Sequence, residues 1–246
     1  MKKVVLVTGS AHGIGAEIIK QFANNGYACV INYNTSENDA KALCENLTKN
    51  GTPNMCVKAD ISSETQVKNM VKTILDKFGH IDVLVNNSAT TFDSLFCDKG
   101  EKNFNDVLKT NITGTFLVSK YVGDAMFRNK YGRIINIAST NGINTYYPMC
   151  AEYDASKAGV ISLTHNLAMQ FAPYVTVNAV APGFVATEAE IKDMDDEYIK
   201  SETEKIMIKR AGTPTDIANL VSFLASDNAN FINNTIIRID GGMYGA

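Results

Sequence analysis

The run Val4-Val5-Leu6-Val7-Thr8-Gly9-Ser10-Ala11-His12-Gly13-Ile14-Gly15 decides how the rest of the chain reads. Four aliphatic residues in succession suit a strand buried on both faces, because a strand with one wet face would alternate. Thr8 to Gly15 is a glycine-rich turn that enters a helix directly. In that helix Ile14, Ile18, Ile19 and Phe22 recur at helical spacing, up to the stop at Asn24-Asn25-Gly26. Gly9 permits a tight turn, Gly13 lets backbone approach a pyrophosphate with no Cβ in the way, and Gly15 lets the helix pack closely on the sheet. The free N–H groups and the positive dipole end of that helix then face a diphosphate. Glycine-rich turns also occur without a ligand. This one lies between a buried first strand and an amphipathic helix, which favours dinucleotide binding.

The same alternation continues along the chain. Further strands are expected over 28–33, 55–59, 81–85, 133–138, 175–180 and 236–239. Between them a helix runs through Ala40, Leu43 and Leu47, and another follows Ser62-Ser63-Glu64 through Val67, Met70, Val71 and Ile74 to Gly79. Long helices are expected around 111–129 and 153–171. Apolar strands alternating with helices imply a parallel sheet covered on both sides by right-handed crossovers. The expected fold is therefore α/β: a doubly wound, seven-stranded, Rossmann-like parallel sheet in one domain spanning 1–246. Ligands of such sheets bind beyond the carboxyl ends of the strands.

Composition narrows the function classes. The 246 residues carry a net charge of −3, and no long basic run is present. A nucleic-acid or anionic-membrane surface needs clustered Lys and Arg, so neither partner is expected. No apolar stretch approaches the ~18–20 residues that span a bilayer. The apolar run Val4–Val7 is too short for a secretory signal, and a cytoplasmic protein is expected. Cys29, Cys44, Cys56, Cys97 and Cys150 are odd in number and widely spaced, and read as reduced, mostly buried small hydrophobes. His12, His80 and His165 are scattered, so no metal site is expected.

The glycine spacing is G-x-x-x-G-x-G, and Thr8 to Gly15 resembles the T-G-x-x-x-G-[IL]-G fingerprint of the short-chain dehydrogenase/reductase family. The resemblance runs from Val4 to Asp240-Gly241-Gly242-Met243 and implies a nicotinamide cofactor held at Gly9, Ser10, His12, Gly13, Ile14 and Gly15. It also implies that Asp60 accepts from the adenine amino group with Ile61 behind it, and that Asn87 lies against the cofactor. Here Asn86-Asn87-Ser88-Ala89 stands where the family has N-N-A-G. A carboxylate after the second strand would select NAD by accepting from the ribose hydroxyls. The chain instead has Asn32-Tyr33-Asn34-Thr35-Ser36, with no acid before Glu37. Thr35 and Ser36 either offer hydroxyls to a 2′-phosphate or cap the next helix. The balance leans to NADP(H) over NAD(H).

Tyr153 and Lys157 stand four apart on an expected helix, so their side chains share a face. A phenol ionises near ~10, and a neighbouring ammonium favours the phenolate, bringing proton exchange toward neutral pH. With 10 Tyr in the chain, a chance Y-x-x-x-K is expected roughly 0.8 times, so the spacing alone decides nothing. Its setting adds the weight. Ser139 ends the strand that precedes the pair, and Asn111 lies in the helical segment before it. Together these match the family's Asn, Ser, Tyr and Lys tetrad in order, with Ser139 to Tyr153 one residue longer than in many members. The resemblance implies that Ser139 and Tyr153 donate to a carbonyl oxygen and that Tyr153 is the general acid. Lys157 would hold the nicotinamide ribose, and Asn111 would fix a water. It further implies that Pro182, Gly183, backbone at Val185 and the Thr187 hydroxyl hold the carboxamide. The charge-dense stretch at about 184–210 reads as a substrate lid.

The 3-oxoacyl-[acyl-carrier-protein] reductase branch is nearest, through Asn111-Ile112-Thr113-Gly114-Thr115-Phe116, Gly132-Arg133-Ile134 and Asp240-Gly241-Gly242. An acyl-carrier protein is acidic, and Arg128, Lys130 and Arg133 are the bases on which it could land. Against it stand Phe171-Ala172-Pro173-Tyr174, which lacks a second basic patch, and the acidic lid. The alternative substrate is a sugar, polyol or other small ketone or alcohol. A non-catalytic nucleotide-sensing regulator would be expected to have lost Tyr153 or Lys157. The resemblance also implies a homotetramer through the two long helices.

Overall fold

The computed structural model describes residues 2–144, 147–187, 192 and 194–243. Seven strands form one parallel sheet in the order β3-β2-β1-β4-β5-β6-β7. They are β1 (Val4–Val7), β2 (Ala28–Tyr33), β3 (Asn54–Lys58), β4 (Val83–Asn86), β5 (Gly132–Ile137), β6 (Val175–Pro182) and β7 (Ile236–Ile239). The order reverses between β1 and its neighbour β4, which opens a crevice at their carboxyl ends.

Successive side chains of a strand point to opposite faces, so a strand apolar at every position serves two cores. Val5 and Val7 of β1 pack with Ile18, Ile19 and Phe22 of α1 (Gly13–Asn24). The same core holds Leu43 and Leu47 of α2 (Glu37–Lys49). Val4 and Leu6 face the other side, with Met70 and Ile74 of α3 (Glu64–Phe78). Burying each such side chain stabilises by about 1.5–3 kcal/mol, which accounts for the continuous apolar runs.

The helix expected over 111–129 belongs to a longer rod. It comprises α4 (Glu101–Leu108), a π-helical stretch Lys109–Gly114 and α5 (Thr115–Arg128). Helix α6 (Ala151–Phe171) starts two residues earlier than the periodicity suggests. In the expected lid, Asp195 caps α7 (Asp196–Glu204) by accepting from the Tyr198 amide at 2.6 Å. Residues 188–191 and 193 of that stretch lie outside the described residues. The sequence reading did not anticipate α8 (Pro214–Ala225), although Thr213, Pro214 and Asp216 form a capping box that announces it. Ile217, Val221 and Leu224 complete the core over α1.

Two expectations need correction. Cys97 is exposed, and Cys44 and Cys56 are half-buried, so Cys29 and Cys150 alone fit the description of buried thiols. Arg133 is buried and cannot form part of a landing strip. Its guanidinium donates to the Gly132 carbonyl at 3.1 Å and to Asn230, and it stacks over the Tyr131 ring. Among the described residues no helix is long and apolar enough to cross a membrane, and no cluster could hold a metal ion.

Candidate active site

The turn after β1 takes the shape its glycines allow. Gly9 and Gly13 have φ of 59° and 57°, in the left-handed region. A Cβ on Gly15 would lie 2.6 Å from the Asn87 side-chain nitrogen and 2.7 Å from the Gly9 carbonyl oxygen, so the helix can start this close to the sheet only without one. Asn87 spans the crevice and donates to the Thr8 and Gly9 carbonyls, both at 3.0 Å. Thr8 Oγ1 accepts from the Asn87 and Ser88 amides at 3.0 Å. The small Ser88 and Ala89 thus keep the backbone against the crevice, as the family's N-A-G would.

A cavity of about 690 Å³ runs along these segments. Of the expected cofactor contacts, Gly9, His12, Gly13, Ile14, Gly15, Thr35, Ser36, Asp60, Ile61, Asn87 and Thr187 line it. Ser10, Tyr153, Lys157, Pro182, Gly183 and Val185 are not among its lining residues; the Ser10 hydroxyl turns inward and donates to the Val7 carbonyl at 2.8 Å. Sequence reasoning missed Asn32, which lines the cavity and joins three segments. Its Oδ1 accepts from the Gly9 amide at 3.2 Å, and its Nδ2 donates to the Ala59 carbonyl at 3.1 Å. A buried Asn that ends a strand beside a glycine turn is the signal that could have found it. Asp60 Oδ1 accepts from the Ser62 amide at 2.9 Å, which fixes the carboxylate at the cavity wall.

Past β6, a Cβ on Gly183 would lie 2.6 Å from that of Asp240, so the turn after β6 is seated against the chain beyond β7. Phe184 accepts from the Gly212 amide at 2.9 Å, and the Ala186 amide donates to the Gly212 carbonyl at 2.8 Å. This parallel bridge turns Val185's own amide and carbonyl the other way.

Ser139, Tyr153 and Lys157 come from the end of β5 and the first turns of α6. Lys157 is buried; its Nζ donates to the Ile137 carbonyl at 2.7 Å and sits 5.3 Å from the centre of the Tyr153 ring. Burial lowers the ammonium from its ordinary 10.5 to about 8, because the charged form has lost its water. Ser139 Oγ accepts from the Asn141 amide at 3.2 Å, which leaves its hydroxyl proton to be donated elsewhere. Gly142 was not singled out from sequence, yet a Cβ there would lie 2.6 Å from the Lys157 carbonyl carbon. The loop therefore lies flush on α6 at the residue that holds the amine. Asn141 Nδ2 donates to Asp154 Oδ1 at 2.7 Å, tying the same loop to the residue after Tyr153.

Asn111 lies in the π-helical stretch, and both protons of its side-chain amide are donated. Its Oδ1 accepts from the Thr90 amide at 2.8 Å, and its Nδ2 donates to the Thr90 carbonyl and to Ser156 Oγ, both at 2.9 Å. Ser156 Oγ in turn donates to the Tyr153 carbonyl at 2.7 Å. Cys150 is buried, and burial followed by the Asp154 carboxylate pushes its thiol up, so it stays protonated and inert.

The family model described as Enoyl-(Acyl carrier protein) reductase matches residues 9–244. The 3-oxoacyl-[acyl-carrier-protein] reductase FabG of Staphylococcus epidermidis is 41% identical over 248 aligned positions, covering 99% of this chain and 100% of the relative. The 3-oxoacyl-[acyl-carrier-protein] reductase of Synechocystis is 40% identical, covering 98% of this chain and 96% of its own. The chain belongs to the short-chain dehydrogenase/reductase family. A solved member described as ElxO with NADP bound superimposes with a TM-score of 0.90 at 34% identity, covering 98% of both chains. As a member of this family the chain is an NAD(P)-dependent oxidoreductase of the alcohol–carbonyl couple, and a nicotinamide dinucleotide is its cofactor. The crevice fits that group, with a Cβ-free approach at Gly13, a helix N-terminus behind it and a long cavity beside it.

Proposed function

We propose that the chain reduces a carbonyl carbon to a secondary alcohol with NADPH, and that the carbonyl belongs to a 3-oxoacyl thioester. The observation that carries the chemistry is the buried Lys157 amine beneath the Tyr153 ring, one helical turn away. Bound in the crevice, the nicotinamide supplies the hydride. Ser139 and Tyr153 donate to the carbonyl oxygen as charge builds on it, and Tyr153 releases its proton as general acid. The Lys157 ammonium favours the phenolate left behind and holds the ribose. The Asn111 side chain fixes the π-turn and, through Ser156, the Tyr153 carbonyl, and the second lone pair of its Oδ1 is left to hold the water that replenishes the proton. In the oxidative direction Tyr153 is the base. The turn at Pro182, Gly183, Val185 and Thr187 orients the carboxamide, and the stretch 184–210 closes over the substrate.

The 2′-phosphate preference has local support. Ser36 lines the cavity and, although it precedes α2, makes no side-chain cap bond to that helix. The first acid after β2, Glu37, is paired with Lys41 at 2.6 Å, which offsets its repulsion of a phosphate. The relatives named as 3-oxoacyl-[acyl-carrier-protein] reductases support the thioester. A small ketone, sugar or polyol is the second reading. It is favoured by the burial of Arg133, which removes one of the three bases suited to an acidic carrier protein. Exposed Phe116 and Phe127 on α5 support a homotetramer through the long helices. The test follows NADPH and NADH absorbance with acetoacetyl thioester, small ketones and polyols. We expect the highest kcat/KM for NADPH with the thioester, and a polyol or simple ketone outrunning it overturns the substrate assignment.

A further inference from the structure

The loop that leaves β4 lines the cofactor crevice at Asn87, Ser88, Ala89 and Thr90, then crosses to α4. At its far end Lys99 is buried against Glu152, the residue immediately before Tyr153. Lys99 Nζ lies 2.7 Å from Glu152 Oε2 and 2.9 Å from Oε1, and donates to the Phe92 carbonyl at 2.7 Å. The ammonium thus donates to Glu152 Oε1 and to the Phe92 carbonyl, while Glu152 Oε2 is held beside it by charge without a hydrogen bond of its own. A second tie joins the same segments, where the Ser94 amide donates to the Met149 carbonyl at 3.0 Å.

The start of α6 carries Glu152 and Asp154 in its first turn, and Asp154 is bonded back to the Tyr147 amide and Cys150, but no cap side chain fixes its rotation. Its cap residue, Cys150, gives no side-chain cap bond, and the amides of a first turn have no intrahelical acceptors. Adjacent helical residues point about 100° apart, so Glu152 can be gripped from inside the protein while Tyr153 and Lys157 keep their common face. A buried ion pair is a poor source of stability, since well-packed apolar residues often do as well or better. Its presence one residue from the general acid calls for a geometric role.

We infer that Lys99 and Glu152 form a positioning pair that sets the rotation of the first turn of α6 and so aims the Tyr153 hydroxyl at the substrate carbonyl. The inference rests on Tyr153 being the proton donor. A displacement of about 1 Å at a reacting group costs on the order of a hundredfold in rate, so a small rotation is enough to be seen.

The test uses Lys99→Met, the double variant Lys99→Met/Glu152→Met, and Tyr153→Phe, with acetoacetyl thioester as substrate. Lys99→Met leaves a buried unpaired carboxylate and is expected to lower both Tm and kcat. The double variant, with an apolar pair in the same volume, is expected to regain the wild-type Tm while kcat stays down by on the order of tenfold or more. NADPH affinity, read by nicotinamide fluorescence, stays within about twofold, and the isotope effect from nicotinamide-deuterated NADPH rises as hydride transfer becomes more rate-limiting. If kcat returns with Tm in the double variant, the pair is structural and the inference fails. Wild-type turnover in Tyr153→Phe would instead remove the reading on which it rests.

Discussion

Replacing Lys157 by Met should leave the cofactor-free protein at least as stable as the wild type while abolishing turnover. The side chain is 3% exposed, and burial brings its proton loss from 10.5 down to about 8. At ~1.4 kcal/mol per pH unit, holding the ammonium inside at neutral pH destabilises the fold by about 3 kcal/mol. Met fills a similar volume without the charge, but strands the Ile137 carbonyl, which costs about 1–3 kcal/mol. The variant is thus expected to equal the wild type or exceed it by up to about 2 kcal/mol at pH 7, whereas most buried substitutions destabilise. The sign of the pH dependence follows from the depressed value. Between pH 8 and 10.5 the unfolded chain binds more protons than the folded one, so this group's contribution improves as pH rises and is lost again as pH falls through 8. The variant lacks that slope. Urea unfolding of both proteins between neutral and alkaline pH should show the variant's advantage greatest at neutral pH and shrinking toward pH 10. The buried Cys29 and Cys150 thiols titrate in both proteins and cancel in the difference. A variant clearly less stable at pH 7, with a gap that does not change with pH, would refute the reasoning.

Tyr153→Phe should cost ~10²–10⁴ in kcat with NADPH affinity by fluorescence titration preserved; near-normal turnover would exclude a phenol donor. Thr35→Asp places a carboxylate on the cavity wall and should lower the NADPH-to-NADH ratio of kcat/KM by on the order of tenfold, about 1.4 kcal/mol, whereas an unchanged ratio would move the 2′-phosphate elsewhere. Gly142→Ala drives a Cβ to 2.6 Å from the Lys157 carbonyl carbon, and helix backbone has little room to retreat. It should destabilise by about 1–3 kcal/mol and reduce kcat, and a normal Tm with normal kcat would mean the loop yields freely.

The strands, the left-handed glycine turn after β1 and the proximity of Tyr153 and Lys157 were legible because each is local. An apolar run, a glycine spacing or a four-residue separation carries its physics within one turn or one strand. Lys99 and Glu152 were not, since each looks like an ordinary solvated charge and they become a buried pair only through the path of the loop between β4 and α4. Arg133 misled for the related reason that a basic residue near a turn reads as surface until Asn230, nearly a hundred residues on, supplies its partner. The π-helical stretch at Lys109–Gly114 has no compositional mark, and the bonds Asn111 makes from it to Thr90 and Ser156 join residues far apart in the chain. Helix α8 does carry a local mark, the Thr213 capping box, which lies in turn chemistry rather than in apolar periodicity.

The first two turns of α6 place Glu152, Ser156 and Lys157 in the interior, where a helix chosen for stability would present Leu or Ile. Each polar group is matched by a partner from a different segment: Lys99 from the loop after β4, Asn111 from the π-turn, and the Ile137 carbonyl from β5. Three separate parts of the fold thereby converge on the residues around Tyr153, and none of the three ties gains much over an apolar contact of the same volume. What they supply is direction, because a hydrogen bond to a fixed acceptor constrains an angle that apolar packing leaves loose. It follows that replacing both partners of such a tie by apolar residues should hold stability while lowering turnover, and that the loss of turnover should fade a few turns further along α6, where Leu167, Ala168 and Phe171 pack as ordinary core.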